Sequence, residues 1–406
     1  MRKLLFTILS LSSIFANGQA LNDYLEMAAD SNAELKAKFL EYQAALEQVP
    51  QVGALPDPEI SFGYFVSPIE TRVGAQEARL GFMQMFPWFG TLGARKDARA
   101  EMARAKFELF AQARNELFFK VKEKYYDLYE LKQSIRITEA HLEILKTFES
   151  LATTKFENGK AGMVDVLRVQ MEIAEVQNSL QLLQDKRIPL TTAFNQFLNR
   201  EGGTAVVIPD TIEAIEFIMS KNVLADSIQS QNNQLQYYGH LRQASDFRVT
   251  EAKKMSAPTF GVGMNYFIVS ERTDMVIPEN GKDAFMPLLS IKLPLYGGRI
   301  RSMSKEAELN RQALENLEAD YRNLLQTNLE LAWVDYSDAG RRIVLYRGQM
   351  KTAKQTQDIL VESFSTDGRD FEEVLRVQRM LLRFELEIIR AIVDRNSAIA
   401  KIESYM

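Results

Sequence analysis

The chain has 406 residues, 46% of them hydrophobic and 25% charged, with a formal net charge of −5 and no cysteine. That is enough to bury a sizeable core in two or three domains. The mildly acidic balance argues against a nucleic-acid partner, and the lack of thiols excludes disulfides and thiolate metal sites and speaks against a lipid anchor on cysteine.

Residues 1–20 read as a secretory signal peptide. Arg2 and Lys3 form a charged start, Leu4 to Phe15 is an apolar stretch too short to span a bilayer, and Ala16, Gly18 and Ala20 offer small residues for cleavage near Gly18 or Ala20. No later stretch approaches a run of about 18 apolar residues, so no membrane-spanning helix is expected after it.

The remainder is an internal duplication. FENGKAGMVDVLRVQ (Phe156–Gln170) aligns without a gap to FSTDGRDFEEVLRVQ (Phe364–Gln378), sharing the Phe and the whole VLRVQ. Asn32, Leu35 and Pro58 answer Asn232, Leu235 and Pro258, and MFPWFG (Met85–Gly90) answers KLPLYG (Lys292–Gly297). The copies are assigned to residues 21–200 and 221–406, with a connector over 201–220 that carries Gly202, Gly203 and Pro209. The spacing between matches changes mainly before Lys292, so one loop of the second copy is longer.

In chain order, the first copy begins with a helix over Leu21–Val49, whose apolar positions include Leu25, Leu35, Phe39, Tyr42 and Leu46. Pro50 and Pro56 are expected to end it. Two strands follow. Ile60, Phe62, Tyr64 and Val66 alternate with Ser61 and Gly63, and Leu80 and Phe82 alternate with Arg79 and Gly81, the period-2 pattern of a sheet with one apolar and one small or polar face. Such segments suit a transmembrane β-barrel, with Ser67–Glu77 as the outward loop. A soluble hairpin on a core shares the same alternation. A long helix over Ala94–Lys155 comes next, free of Pro and Gly, with heptad rows Val121, Leu128, Ile135, Leu142 and Phe110, Leu117, Leu131, Leu145. A tight turn at Asn158–Gly162 leads into a return helix, Met163–Leu198.

The second copy repeats this order: a helix over Val223–Lys254 ended by Pro258, strands on Phe260–Ile268 and Leu289–Leu293, and an outward loop at Ser270–Lys282. A helix over Arg301–Ser363 with the row Leu329, Tyr336, Ile343, Met350, a turn at Thr366–Asp370, and a return helix Phe371–Ser404 complete it. The fold class expected is α plus membrane β, two helix–strand–strand–helix–helix repeats with four strands in all. Four strands cannot close a barrel, and an open edge is not tolerated in lipid, so some oligomer is required.

No constellation for an enzyme, cofactor or metal site is evident. His141 and His240 lie far apart and lack a two-histidine zinc spacing. Met83 and Met85 share a strand face and could offer soft thioether ligands, but apolar filling is the simpler role. The turn charges Asp165, Arg369, Asp370 and Glu373 stand at the starts of return helices, where carboxylates also serve as caps.

With both copies laid out, the chain resembles the TolC family of outer-membrane efflux proteins. The turn motifs Phe156–Gln170 and Phe364–Gln378 resemble that family's aperture tips, Asp30–Ala37 (DSNAELKA) its first-helix motif, and Met85–Ala98 (MFPWFGTLGARKDA) its heavy-metal efflux branch. The resemblance implies a homotrimer in which each subunit gives four strands to a shared twelve-stranded barrel, continued by a long helical periplasmic tunnel. It implies as partners a periplasmic adaptor, an inner-membrane RND-type transporter and outer-membrane lipid. It also implies that Asp165 and Arg369 form a gate-locking pair, that Glu373 belongs to an acidic ring, and that the tip glycines Gly159, Gly162 and Gly368 lie where an adaptor docks. Arg376 stands where the family has a second ring acid, and Phe364 where it has a Tyr, so those two contacts are not expected. The competing reading is a periplasmic coiled-coil adaptor without a pore; the strand hairpins between the helices weigh against it.

Overall fold

The computed structural model describes residues 21–217, 219–367 and 371–406. The signal segment and three turn residues named above, Gly368, Arg369 and Asp370, lie outside them. The elements are α1 (21–31), α2 (Ala33–Gly53), β1 (Glu59–Thr71), β2 (Gly74–Phe86), α3 (Thr91–Glu157), α4 (Met163–Asp185), α5 (Arg187–Phe197), α6 (Lys221–Gln231), α7 (Asn233–Lys254), β3 (Thr259–Val269), β4 (Ala284–Lys292), α8 (Gly297–Asp367) and α9 (Phe371–Glu403). Among the described residues no helix is long and apolar enough to cross a membrane.

Two compact units emerge, and each draws on both sequence copies: Phe39–Leu109 with Gln234–Tyr321 form one, and the flanking segments form the other. In the first, the strands make a single antiparallel sheet in the order β1-β2-β3-β4. The hairpin of one copy is thus bonded to that of the other through β2 and β3. β1 is longer than its alternation suggested: it runs through Pro68 to Thr71, and the expected Ser67–Glu77 loop shrinks to a turn at Arg72–Val73. Pro68 is tolerated because β1 is an edge strand, with its pairing interrupted between Tyr64 and Ile69. The turn closes on Gly74 at φ 136, where a Cβ would sit 1.7 Å from the Ser270 carbonyl oxygen, so only glycine fits. Ser270–Lys282 remains a loop, pinned by Arg272 N–H donating to Asn280 Oδ1 (2.8 Å) and Asn280 Nδ2 donating back to the Arg272 carbonyl (3.0 Å).

The second unit is helical. One of its clusters packs Tyr24, Ala28 and Leu35 against Leu117, Val121, Tyr125, Leu128, Phe194 and Val393. Of the two heptad rows, Val121, Leu128, Leu142, Leu117, Leu131 and Leu145 are buried, as a heptad seam requires, while Ile135 and Phe110 are half-buried. The connector crosses this unit as an extended segment. Its backbone N–H groups donate to side chains: Val207 to Tyr24 Oη (2.8 Å), Ile212 to Tyr129 Oη (3.2 Å), Ile215 to Asn396 Oδ1 (2.9 Å) and Phe217 to Tyr336 Oη (3.2 Å). A segment without a partner strand satisfies its donors in this way.

Three helices depart from the sequence reading. The first helix of each copy is broken, at Asn32 and Asn232. Asn32 Oδ1 accepts the Leu35 N–H (3.0 Å), capping α2, while its Nδ2 donates to the Phe197 carbonyl (3.1 Å); Asn232 Nδ2 donates to the Tyr405 carbonyl (2.9 Å). Each asparagine therefore ties the first helix of its copy to the end of the return helix, which explains why the pair recurs. Pro50 does not end α2, which continues to Gly53: a proline this near the helix end removes one hydrogen bond without terminating the last turn. The first return helix divides at Lys186, where Pro189 stands in the first turn of α5 and its missing N–H needs no helical partner. α9, which has no proline, runs unbroken.

Asn232 is 5% exposed. Replacing it with alanine leaves the Tyr405 carbonyl without its donor, and we expect a loss of about 1–3 kcal/mol, read as a lower urea midpoint of the helical signal at unchanged slope. An unchanged midpoint would show that water replaces the asparagine at no cost.

Candidate functional site

Two regions hold the chemistry, the faces of the sheet and the turn ends of α3 and α4 with α8 and α9. On the sheet, cross-strand register assembles rows of like character. Ile60, Phe82, Met264 and Pro287 form one row, and Phe62, Leu80, Tyr266 and Phe285 the next. This face is apolar and open: Ile60 is 72% exposed, Phe62 71% and Leu289 81%. The opposite face carries Ser61, Gly81, Asn265 and Met286 in one row and Met85, Gly261 and Ser290 in another. It is crowded. A Cβ on Gly81 would lie 2.4 Å from Ser61 Oγ, and one on Gly261 would lie 2.5 Å from Met85 Sδ and 3.1 Å from Met83 Sδ. Met83 and Met85 thus lie flat across the glycines of β3, which fits the filling role. The outer edges of β1 and β4 carry no partner strand among the described residues.

At the other site, α3 ends on Gly159 at φ 68, with the Gly159 N–H donating to the Phe156 carbonyl (2.9 Å) and the Lys160 N–H to the Lys155 carbonyl (2.8 Å). Glycine suits this left-handed helix end. Gly162 precedes α4, and its N–H donates to Asp165 Oδ2 at 3.2 Å. Asp165 therefore does act as a cap, and it also stands 3.8 Å from Arg168. Glu373 pairs with Arg376 on its own helix. Because Arg369 lies outside the described residues, its pairing with Asp165 has no geometry here. Beneath the turns, Phe364 (1% exposed) packs on Phe371 at a ring-centroid distance of 4.5 Å, joined by Val166, Val169, Phe148 and Leu145.

Residue-by-residue reading of the turns missed the ties between the two return helices. Arg168 on α4 reaches Glu372 on α9 at 3.1 Å, and Glu172 on α4, 7% exposed, receives Arg379 of α9 at 2.8 Å. The signs alternate, Arg to Glu and then Glu to Arg, so sliding α4 against α9 by a turn would bring like charges together. One trace was legible: Arg168 and Arg376 are the same residue of the repeated VLRVQ.

The histidines bind carboxylates. His141, 4% exposed, lies 3.1 Å from Glu385 through Nε2 and 2.7 Å from the Gln378 amide nitrogen through Nδ1. Gln378 Oε1 accepts from Gln357, which leaves its amide N–H to donate to the imidazole and assigns the ring proton to Nε2, facing Glu385. The hydrogen bond from His141 holds the Glu385 carboxyl below the usual carboxylate range. His240 Nδ1 lies 2.8 Å from Glu101. Among the described residues no group of three or more His, Asp or Glu is placed to hold a metal ion.

The comparisons with known proteins agree with this geometry. Residues 24–196 match the outer membrane efflux protein family model. No curated protein sequence matches the chain. Among solved structures, the CusC channel superposes with a TM-score of 0.78 at 14% identity, covering 95% of this chain and 91% of that one. The outer membrane protein VceC of Vibrio cholerae gives 0.75 at 17% identity, covering 94% of each chain. The CmeC outer membrane channel of Campylobacter jejuni gives 0.74 at 13%, covering 95% and 85%. Residues 24–196 thus carry the pattern of the outer membrane efflux protein family, and nearly the whole chain has the fold of these channels.

Proposed function

We propose that the chain is one subunit of a homotrimeric outer-membrane channel, the passive exit duct of a multipart efflux system. Solute reaches it from an RND-type inner-membrane transporter through a periplasmic adaptor. The observation that carries this reading is the sheet, which has an exposed apolar face, a small and polar face, and two open edges. In hydrocarbon the edges must be paired, and pairing β4 of one copy with β1 of the next around a threefold gives twelve strands. The apolar face then meets lipid and the face with Ser61, Asn265 and Ser290 lines the passage. A periplasmic adaptor without a pore would leave that apolar face in water. The run Met85–Ala98 favours heavy-metal ions as cargo.

The turns supply the gate and the dock. Gly159, Gly162 and Gly368 are assigned to adaptor contact; beside Gly159 the space a Cβ would occupy is empty, which leaves room for a partner. Asp165, Arg369 and Glu373 are assigned to gating, and to them we add Arg168, whose link to Glu372 joins the hairpins of the two copies.

A lysine at Phe62, Val262 or Ile291 should cost about 2–4 kcal/mol near the bilayer midplane, while lysine at Ser61 or Ser290 should be tolerated. Refolding titrations into lipid vesicles read the difference, and equal costs on the two faces would reject the lipid assignment.

Exposed pairs contribute only ~0.2–1 kcal/mol each, yet three copies acting together bias an open–closed equilibrium by a few kcal/mol. Asp165→Ala and Arg168→Gln should therefore raise single-channel conductance in planar bilayers, most clearly at low salt. Conductance equal to the parent protein in both variants would reduce these residues to helix-end contacts.

A further inference from the structure

The passage from β4 into α8 has a composition unlike the rest of the chain. From Ala284 to Lys305 there is no acidic residue, while Lys292, Arg299, Arg301 and Lys305 are basic. The same stretch presents Leu293 (56% exposed), Leu295 (79%) and Tyr296 (90%) to the outside. Arg299 and Arg301 follow within the first two turns of α8, both exposed, and among the described residues their guanidinium groups have no hydrogen bond or ion pair. Further along α8, by contrast, the half-buried Arg311 pairs with Glu308 and the exposed Arg341 with Asp338. The equivalent passage of the first copy, from β2 into α3, also exposes an aromatic residue, Phe89, at 80%, and then the exposed Lys96.

Apolar and aromatic side chains followed directly by unpaired cations are the two halves of an interfacial membrane surface. The rings sit at headgroup level and the cations meet phosphate. We infer that the β4–α8 passage is a binding surface for anionic phospholipid headgroups of the periplasmic leaflet, with Leu293, Leu295 and Tyr296 against the acyl boundary and Arg299 and Arg301 on the phosphate. The guanidinium fork suits a phosphate diester because it donates two parallel hydrogen bonds. This inference rests on the membrane orientation proposed above, with the helices on the periplasmic side.

The test is native mass spectrometry of the purified assembly in detergent, supplied with equal amounts of phosphatidylglycerol and phosphatidylcholine. Two cations near an anionic headgroup favour retention of phosphatidylglycerol by roughly thirtyfold, and Arg299→Gln with Arg301→Gln removes the preference while Arg299→Lys with Arg301→Lys keeps most of it. Equal retention of the two lipids by the parent assembly overturns the inference and leaves the channel reading intact. A glutamine variant that keeps the preference also overturns it. So does one that loses the oligomer rather than the lipid, because the arginines then face acids of a neighbouring copy. If the protein retains neither lipid and needs no detergent to stay soluble, the channel reading itself fails.

Discussion

A backbone N–H or C=O that reaches hydrocarbon without a partner costs several kcal/mol, and this constraint governs the molecule. Each copy of the repeat supplies a hairpin, and the two hairpins join through β2 and β3 into one sheet of four strands. Two edges remain, on β1 and β4. The sheet is therefore left with two open edges, which in the assembly proposed above are paired by other copies of the chain. Duplication within the chain and assembly between chains solve the same problem at two levels.

The helical unit uses a different principle to the same end. Long helices need seams along their whole length, and the heptad rows of α3 supply them. The two asparagines lock the broken first helices to the ends of the return helices, and the tyrosine hydroxyls hold the connector in place. Near the turns the packing changes character. Below, aromatic and aliphatic side chains fill the space between all four helices; above, the contacts are charge pairs on exposed stems. Apolar contacts resist separation in any ionic medium, whereas exposed charge pairs weaken with salt and with competing charges. The gate proposed above, built of the second kind on a base of the first, would move at its tip while the bundle beneath stays closed.

Much of this was legible in the residues. Period-2 alternation at Ile60–Val66 and Phe260–Ile268 gave the strands and their faces, and the heptads gave α3 and α8, because both depend on local geometry. The repeated VLRVQ placed the turns. What failed to show was non-local. Nothing near Asn32 signals a helix break, since the apolar spacing continues through it; the break is held by a carbonyl at Phe197. Pro68 looks like a loop residue until β1 is known to be an edge. Arg168 and Glu372 sit in different copies, so their pairing depends on α4 and α9 lying side by side, which spacing along the chain does not reveal.

The closed barrel is the central claim, and cross-linking between the edge strands tests it most directly. A cysteine at Leu289 on β4 would be combined in turn with one at each position from Ile60 to Val66 on β1, in a chain that has no cysteine of its own. Side chains on one face of a sheet meet only neighbours on that face. The account predicts disulfides between copies for Ile60, Phe62, Tyr64 or Val66, none for Ser61 or Gly63, and a covalent ladder that stops at three chains. Disulfides without alternation, a ladder ending at two or running past three, or no bond between copies at all would contradict it.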